Sequence, residues 1–290
     1  MKLFIRKISI FIITIVGLVC LQFIAFKFIL NYNTDYKLNN DITTLILGDS
    51  HIEAGLNDSI IKNSINFSTG GSPVFFNYVK LKKIIENNKQ IETVIMGYSP
   101  INMTGGGFYE VPKMKSMIIQ YYYLMDYKDF YDVSKYNFQG LINGITGIFR
   151  SVKKPNFLKK VNVKNSDLGG FRKLPMNTTG LLEKDIKNEK LKTGKPDKIS
   201  TKYFLKIIEF CKNNNIRLIV LNTPVHGSLV RKSKQRREEY NKFMDRFNSD
   251  FVFWDYEGLH FDNKYFYDEN HLNYEGAAIF SNLINDKLKK

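Results

Sequence analysis

Cysteine is almost absent from this sequence, with two in 290 residues. Cys20 lies in an apolar run without the small residue a lipoprotein site needs before it, and Cys211 lies in a stretch with helical spacing. The pair therefore supplies neither a disulfide framework nor a metal site. Histidine is also scarce, at four. No HExxH, CxxC pair or Walker A loop occurs, and the glycine run at 105–107 is not followed by a dinucleotide fingerprint. No metal, nucleotide or redox cofactor is expected. Internal repeats and low-complexity tracts are missing as well, so the chain reads as ordinary globular sequence, 43% hydrophobic and long enough for one large domain.

Acidic residues are outnumbered, 28 against 43 Lys and Arg, which leaves a formal charge of +15. Such a balance raises nucleic acid as a partner, but the first residues argue against it. Residues 8–26 carry no charge, and a helix of that length at about 1.5 Å per residue reaches roughly 28 Å, the thickness of a bilayer's hydrocarbon. Lys2, Arg6 and Lys7 precede the run. The positive-inside rule then leaves the N-terminus in the cytoplasm and the rest of the chain outside, against a weaker opposing signal from Lys27 and Lys37. The run is long for a signal-peptide core and no small-x-small cleavage site follows, so it reads as an uncleaved anchor. The expected organisation is an anchor over 1–30, a polar tether over 31–41 and one domain over 42–290. The surplus lysines suit phospholipid head groups or an anionic envelope glycan, or simply a solvated surface.

Past the tether, short apolar runs alternate with amphipathic stretches, as βαβ units do. Strands are expected at 43–48 (TTLILG), 64–67 (SINF), 93–98 (TVIMGY), 217–222 (RLIVLN) and 251–255 (FVFWD). Helical spacing marks 75–86, 203–213, 238–247 and 274–288. Right-handed crossovers then give a three-layer α/β/α sandwich on a five-stranded parallel sheet, with ligands beyond the carboxyl ends of the strands. Residues 101–198 form an insertion too long for a plain connection. Its first half is crowded with aromatics and reads as helical, suited to a lid, a glycan-stacking wall, a membrane-lying surface or an extension of the core. Its second half, 153–198, reads as loop.

Two motifs carry chemistry. Residues 44–51, TLILGDSH, deliver Ser50 on a turn at the end of the first strand, where Gly48 permits a tight exit and the serine's own N–H can point into the same cleft. A serine attacks only when a base takes its proton. Residues 267–280, YDENHLNYEGAAIF, offer His271, with Asp268 three residues earlier and able to hold the other ring nitrogen. His260 with Asp262 is a competing pair without a helix after it. His51, beside the nucleophile, is a candidate substrate contact with a turn or surface role as the alternative, and His226, after the fourth strand and so on the ligand side, is a second candidate contact.

Gly48, Asp49 and Ser50, then Asp268 and His271, stand in the order and context of the first and last blocks of the SGNH (GDSL-like) hydrolase superfamily, and the sequence resembles that family over 43–288 apart from the insertion. The resemblance implies a flavodoxin-like SGNH fold and a Ser50–His271–Asp268 triad. It also implies an oxyanion hole built from the N–H of Ser50, a glycine N–H in 67–73 (FSTGGSP), which leaves Gly70 or Gly71, and an asparagine side chain. The family's GxND block is not present; 97–102 reads GYSPIN, so Asn102 is a candidate by position. A missing donor typically lowers the rate about a hundred- to a thousand-fold. The anchored layout is similar to that of proteins that add or remove O-acyl groups, commonly acetyl, on exported cell-envelope polysaccharides, often beside a membrane-bound O-acyltransferase, and to the accessory protein of teichoic acid D-alanylation. Two other readings stand beside it: a non-catalytic glycan-binding or scaffold partner, and a secreted lipase or thioesterase.

Overall fold

The computed structural model describes residues 1–105, 107–152, 165–176, 195–232, 234–247 and 249–289. Five parallel strands form one sheet in the order β2-β1-β3-β4-β5, with β1 at Thr44–Leu47, β2 at Ser64–Asn66, β3 at Thr93–Gly97, β4 at Arg217–Asn222 and β5 at Val252–Asp255. The central strands are apolar throughout because both sheet faces are covered. Leu45, Leu47, Val94, Met96, Leu218 and Val220 join one core, while Ile46, Ile95, Ile219 and Leu221 join a second on the opposite face.

Helices α1 (Lys2–Asn33), α2 (Ser50–Gly55), α3 (Val74–Asn87), α4 (Pro100–Met103), α5 (Val111–Tyr121), α6 (Tyr127–Tyr136) and α7 (Phe138–Val152) occupy the first half of the chain. α8 (Lys198–Asn213), α9 (Gly227–Lys232), α10 (Lys234–Asp245) and α11 (Tyr274–Leu288) follow. α3, α8 and α10 supply the first core through residues such as Phe75, Phe204 and Phe243. α2 and α11 supply the second through Ile52, Phe280 and Ile284. A three-layer α/β/α sandwich results. α2 lies so close to the sheet that a Cβ at Gly48 or Gly97 would come within 2.5 Å or 2.1 Å of Ile52 Cγ1. That proximity brings the start of α2, and with it Ser50, to the sheet edge.

Element boundaries differ from the sequence expectation where a polar cap decides them. α8 begins at Lys198 rather than 203 because Asp197 accepts hydrogen bonds from the N–H groups of Ile199 and Ser200 at 2.9 and 2.8 Å. β2 ends one residue early, at Asn66, whose side chain donates to the Leu56 carbonyl at 2.8 Å.

The segment after the apolar run is not a free tether. α1 runs on to Asn33, Phe23 packs against Tyr122 and Phe130, and Leu30, Tyr36 and Leu38 are buried. Asn88 clamps the segment, donating to the Tyr36 carbonyl at 2.7 Å and accepting from the Leu38 N–H at 2.8 Å. The last turns of α1 are thus docked on the domain, which leaves the exposed N-terminal part of a helix long and apolar enough to cross a membrane.

In the insertion, α5, α6 and α7 extend the first core: Phe108, Tyr121, Tyr122 and Tyr123 are buried, whereas Tyr109, Tyr127, Tyr131 and Phe138 are exposed. The loop expected over 153–198 falls largely outside the described residues. Of its described residues, 165–176 form a strap and 195–198 lead into α8. The N–H of Gly170 donates to the Ser68 carbonyl (3.1 Å), that of Arg172 to the Glu53 carbonyl (2.7 Å), and the Leu174 carbonyl accepts from the Tyr274 N–H (2.9 Å). Beneath the strap the fully buried Lys80 donates to the Phe67 carbonyl, to Thr69 Oγ1 (3.2 Å) and to the Leu168 carbonyl (3.3 Å). Burial pulls its ammonium down to a pKa of about 7. Lys80 and the strap together fix the 67–71 loop that follows β2.

Candidate active site

At the carboxyl edge of the sheet, the loops after β1, β2, β3 and β5 converge on one open cleft of about 360 Å³, lined by Ser50, Gly71, Asn102 and His271 among others. Ser50 is the first residue of α2. Its Oγ lies 2.8 Å from His271 Nε2, and His271 Nδ1 lies 2.9 Å from both carboxylate oxygens of Asp268. The loop that presents the pair is tied down by its own backbone. Phe266 and Leu272 form an antiparallel bridge, and Asp268 Oδ1 also accepts the N–H groups of Asn270 (2.8 Å) and His271 (2.9 Å). Burial alone would raise the Asp268 carboxyl, but the hydrogen bonds and charge of His271 outweigh it, and its pKa is lowered.

Asn273, which sequence reasoning passed over, anchors the same loop. Its side chain caps α11 by accepting from the N–H groups of Glu275 and Gly276 (3.1 and 3.0 Å) and donates to the Lys264 carbonyl (2.6 Å). An asparagine immediately before an apolar helix is a visible cap signal, and here it sets the height at which His271 leaves the loop.

Asn102 sits in the cleft in spite of the altered third block. Its Oδ1 accepts from the N–H and the hydroxyl of Ser99, both at 2.8 Å, which fixes the amide's orientation. Its Nδ2 donates to Asp49 Oδ2 at 3.1 Å; an amide nitrogen carries two hydrogens, so one N–H remains. Gly70 and Gly71 are separated by their surroundings. The Gly70 carbonyl accepts from Lys113 Nζ, and a Cβ at Gly70 would lie 2.9 Å from Glu53 Oε2. Gly71 lines the cleft. Its φ of +64° is a backbone conformation that favours glycine.

His51 and Asp49 form a second His–carboxylate pair beside the first. Asp49 Oδ1 accepts the His51 N–H at 3.0 Å and lies 3.1 Å from His51 Nδ1. The His51 and His271 rings are 5.2 Å apart. Burial opposes the charge on Asp49, but His51 and Asn102 overcome it and draw the carboxyl to about 2. Burial likewise opposes the charge on His51, and Asp49 outweighs it, with Asp268 and Glu257 adding to the effect, so the imidazole's pKa is raised. The stability this gives His51 is fully present below the unfolded histidine range, about 6.5, and is lost as pH rises through the raised folded value. The wild-type melting temperature is therefore expected to fall across that window, and His51→Gln to flatten the slope, as read by calorimetry from pH 5.5 to 9.

His226 stands apart from the cleft. Its ring is buried, with Nδ1 2.7 Å from Ser228 Oγ, Nε2 2.9 Å from Asn263 Oδ1, and an edge-on contact with Phe266. Both nitrogens are used, so the residue braces the loops after β4 and β5 in place of the substrate contact expected from sequence. His260 is exposed and lines a separate small pocket. Glu110 and Lys113, from the insertion, complete the polar wall of the cleft; nothing in their local sequence marks them, because only the fold brings α5 beside the β2 loop. Among the described residues no cluster of side chains could hold a metal ion.

No curated protein matches the chain. A family model matches residues 178–290, less than half of the chain. Among solved structures the chain is similar to a candidate acylhydrolase from Bacteroides fragilis, at 12% identity and a TM-score of 0.44 over 89% of this chain and 92% of that one. It is similar also to a GDSL-like lipase from Bacteroides thetaiotaomicron, at 9% identity and a TM-score of 0.42 over 89% and 93%. Likeness at this level decides neither activity nor substrate, and the chemistry rests on the geometry of the cleft.

Proposed function

We propose that the chain is a membrane-anchored serine esterase or O-acyltransferase of the SGNH type, acting on acyl esters of an exported cell-envelope polysaccharide. The observation that carries the reading is the unbroken hydrogen-bonded series from Ser50 Oγ through His271 to Asp268. In this mechanism Ser50 Oγ attacks the ester carbonyl as its proton passes to His271 Nε2, and Asp268 stabilises the imidazolium that forms. The oxyanion takes hydrogen bonds from the N–H groups of Ser50 and Gly71 and from the remaining N–H of Asn102. Collapse expels the alcohol, which leaves with the proton from His271, and a seryl ester remains. Water or a sugar hydroxyl then attacks that ester, with His271 as base, and frees the serine.

An exported glycan suits the open, polar wall of Glu110, Lys113 and Asn270, the basic surface, and a domain docked against the end of an apolar N-terminal helix. In this reading the N-terminus is cytoplasmic, the domain extracytoplasmic, acetyl the group transferred, and a membrane-bound O-acyltransferase the partner that supplies or shares it. The test is the ester content of envelope polysaccharide from cells carrying wild type or Ser50→Ala. An enzyme changes that content in the variant as deletion of the chain does; unaltered content in Ser50→Ala with a change on deletion would mean a scaffold.

A further inference from the structure

Helix α7 turns outward a face suited to hydrocarbon rather than water. Its inner side fits closely onto α5, since a Cβ at Gly140, Gly144 or Gly147 would collide with Met114, Ile118 or Ile119. Its outer side is apolar. Phe138 and Ile142 are 62% and 42% exposed and Ile145 and Phe149 are half-buried, and these four positions recur at the i, i+4, i+7, i+11 spacing of one helical stripe. Gln139, Asn143 and Thr146 stand beside the stripe, and no charged residue occurs from 138 to 149. In a chain that is 24% charged, a solvent-facing helix of this length would carry several.

Where the stripe ends points to what covers it. The Phe149 ring lies 6.4 Å from that of Phe23 in α1, and Phe130 of α6 meets the same Phe23 ring at 5.7 Å. Phe23 belongs to the last turn of the uncharged run 8–26. On the reading of that run as a membrane span, on which this inference rests, the end of α7 sits at the level where α1 leaves the bilayer. The residues around that end suit the boundary. Arg150 is exposed, Lys153 and Lys154 follow it in the sequence, and Tyr127 and Tyr131 of α6 are 76% and 65% exposed; rings with polar tips and basic side chains are what an anionic head-group region attracts. We propose that α7 lies along the membrane surface, with Phe138, Ile142, Ile145 and Phe149 seated among the lipid head groups and upper acyl chains. The bilayer then holds the domain at two places, α1 and α7. Because α7 packs on α5, whose Lys113 donates to the Gly70 carbonyl, the second hold fixes the height of the cleft above the lipid.

The experiment reads tryptophan depth in the full chain, reconstituted in vesicles of phosphatidylglycerol and phosphatidylcholine in equal amounts, with the phosphatidylcholine brominated either near the head group or near the chain ends. Trp254, the one tryptophan in the sequence, is buried and supplies the wild-type background. Phe138→Trp and Ile142→Trp are expected to add a blue-shifted signal that shallow bromines quench more than deep ones, as a helix seated about 5–10 Å into the boundary requires. Leu18→Trp, in the middle of the apolar run, is expected to be quenched more by the deep ones. Ile279→Trp, exposed on α11 across the sheet, is expected to be quenched by neither. If Leu18→Trp is quenched while Phe138→Trp and Ile142→Trp behave like Ile279→Trp, the assignment is overturned and the anchor stands. An unquenched Leu18→Trp overturns the anchor and the assignment with it, and fluorophosphonate labelling of the same preparations scores the serine mechanism separately.

Discussion

Ser50→Ala is expected to abolish fluorophosphonate labelling and to lower p-nitrophenyl ester turnover by a factor on the order of 10⁴ to 10⁶. The reason is local. Ser50 Oγ donates its proton along a 2.8 Å contact to an imidazole whose far nitrogen is held by a carboxylate, and no other described hydroxyl is recorded in contact with that nitrogen. Removing Oγ takes away the nucleophile and leaves the oxyanion donors, so a small residual rate is expected to remain. Ser50 is partly exposed at the start of a short helix capped by Asp49, not by itself, so alanine should fold normally. His271→Ala should lose nearly as much, and the double variant little more than either single one, because the two act as a unit.

Asp268→Asn is expected to lower kcat by a factor on the order of 10³ to 10⁴ with the fold intact. Asp268 does two jobs with separable chemistry. Its Oδ1 accepts from the Asn270 and His271 N–H groups, and an asparagine oxygen can keep both bonds. Both oxygens also face His271 Nδ1 at 2.9 Å, and asparagine would remove the charge and present an NH₂ group in place of the second one. The imidazole would then turn to the tautomer with its proton on Nε2, which cannot accept from Ser50. Normal melting with a collapsed kcat is the expected pattern. If Asp268→Asn kept wild-type kcat, the carboxylate would be a loop cap alone.

The fold was legible because its signals are local and redundant. Each strand is a short apolar run between turn residues, and continuous burial on both faces of β1 and β4 makes those runs unbroken. Ser50 and the Asp268–His271 pair were legible for a similar reason, since three residues of spacing already set the carboxylate beside the ring. What was not legible depends on contacts between distant segments. Nothing near residues 34–38 shows that Asn88 will clamp them, so a packed segment reads as a polar tether. Nothing near 165–176 shows that Ser68, Glu53 and Tyr274 wait for its backbone. His226 misleads because a position after a central strand places it on the ligand side of the sheet, whereas its partners, Ser228 and Asn263, turn the ring into the protein. That Gly71 rather than Gly70 lines the cleft follows from the course of the loop after β2, which no local sequence signal shows.

The most direct test of the account is to trap the covalent intermediate. The full chain, mixed for seconds with excess p-nitrophenyl acetate and quenched in acid, is digested and mapped by mass spectrometry. An acetyl adduct on the peptide bearing Ser50, absent in Ser50→Ala, is the predicted result. Turnover of the ester with no adduct on Ser50, or an adduct on another residue that persists in Ser50→Ala, would contradict it.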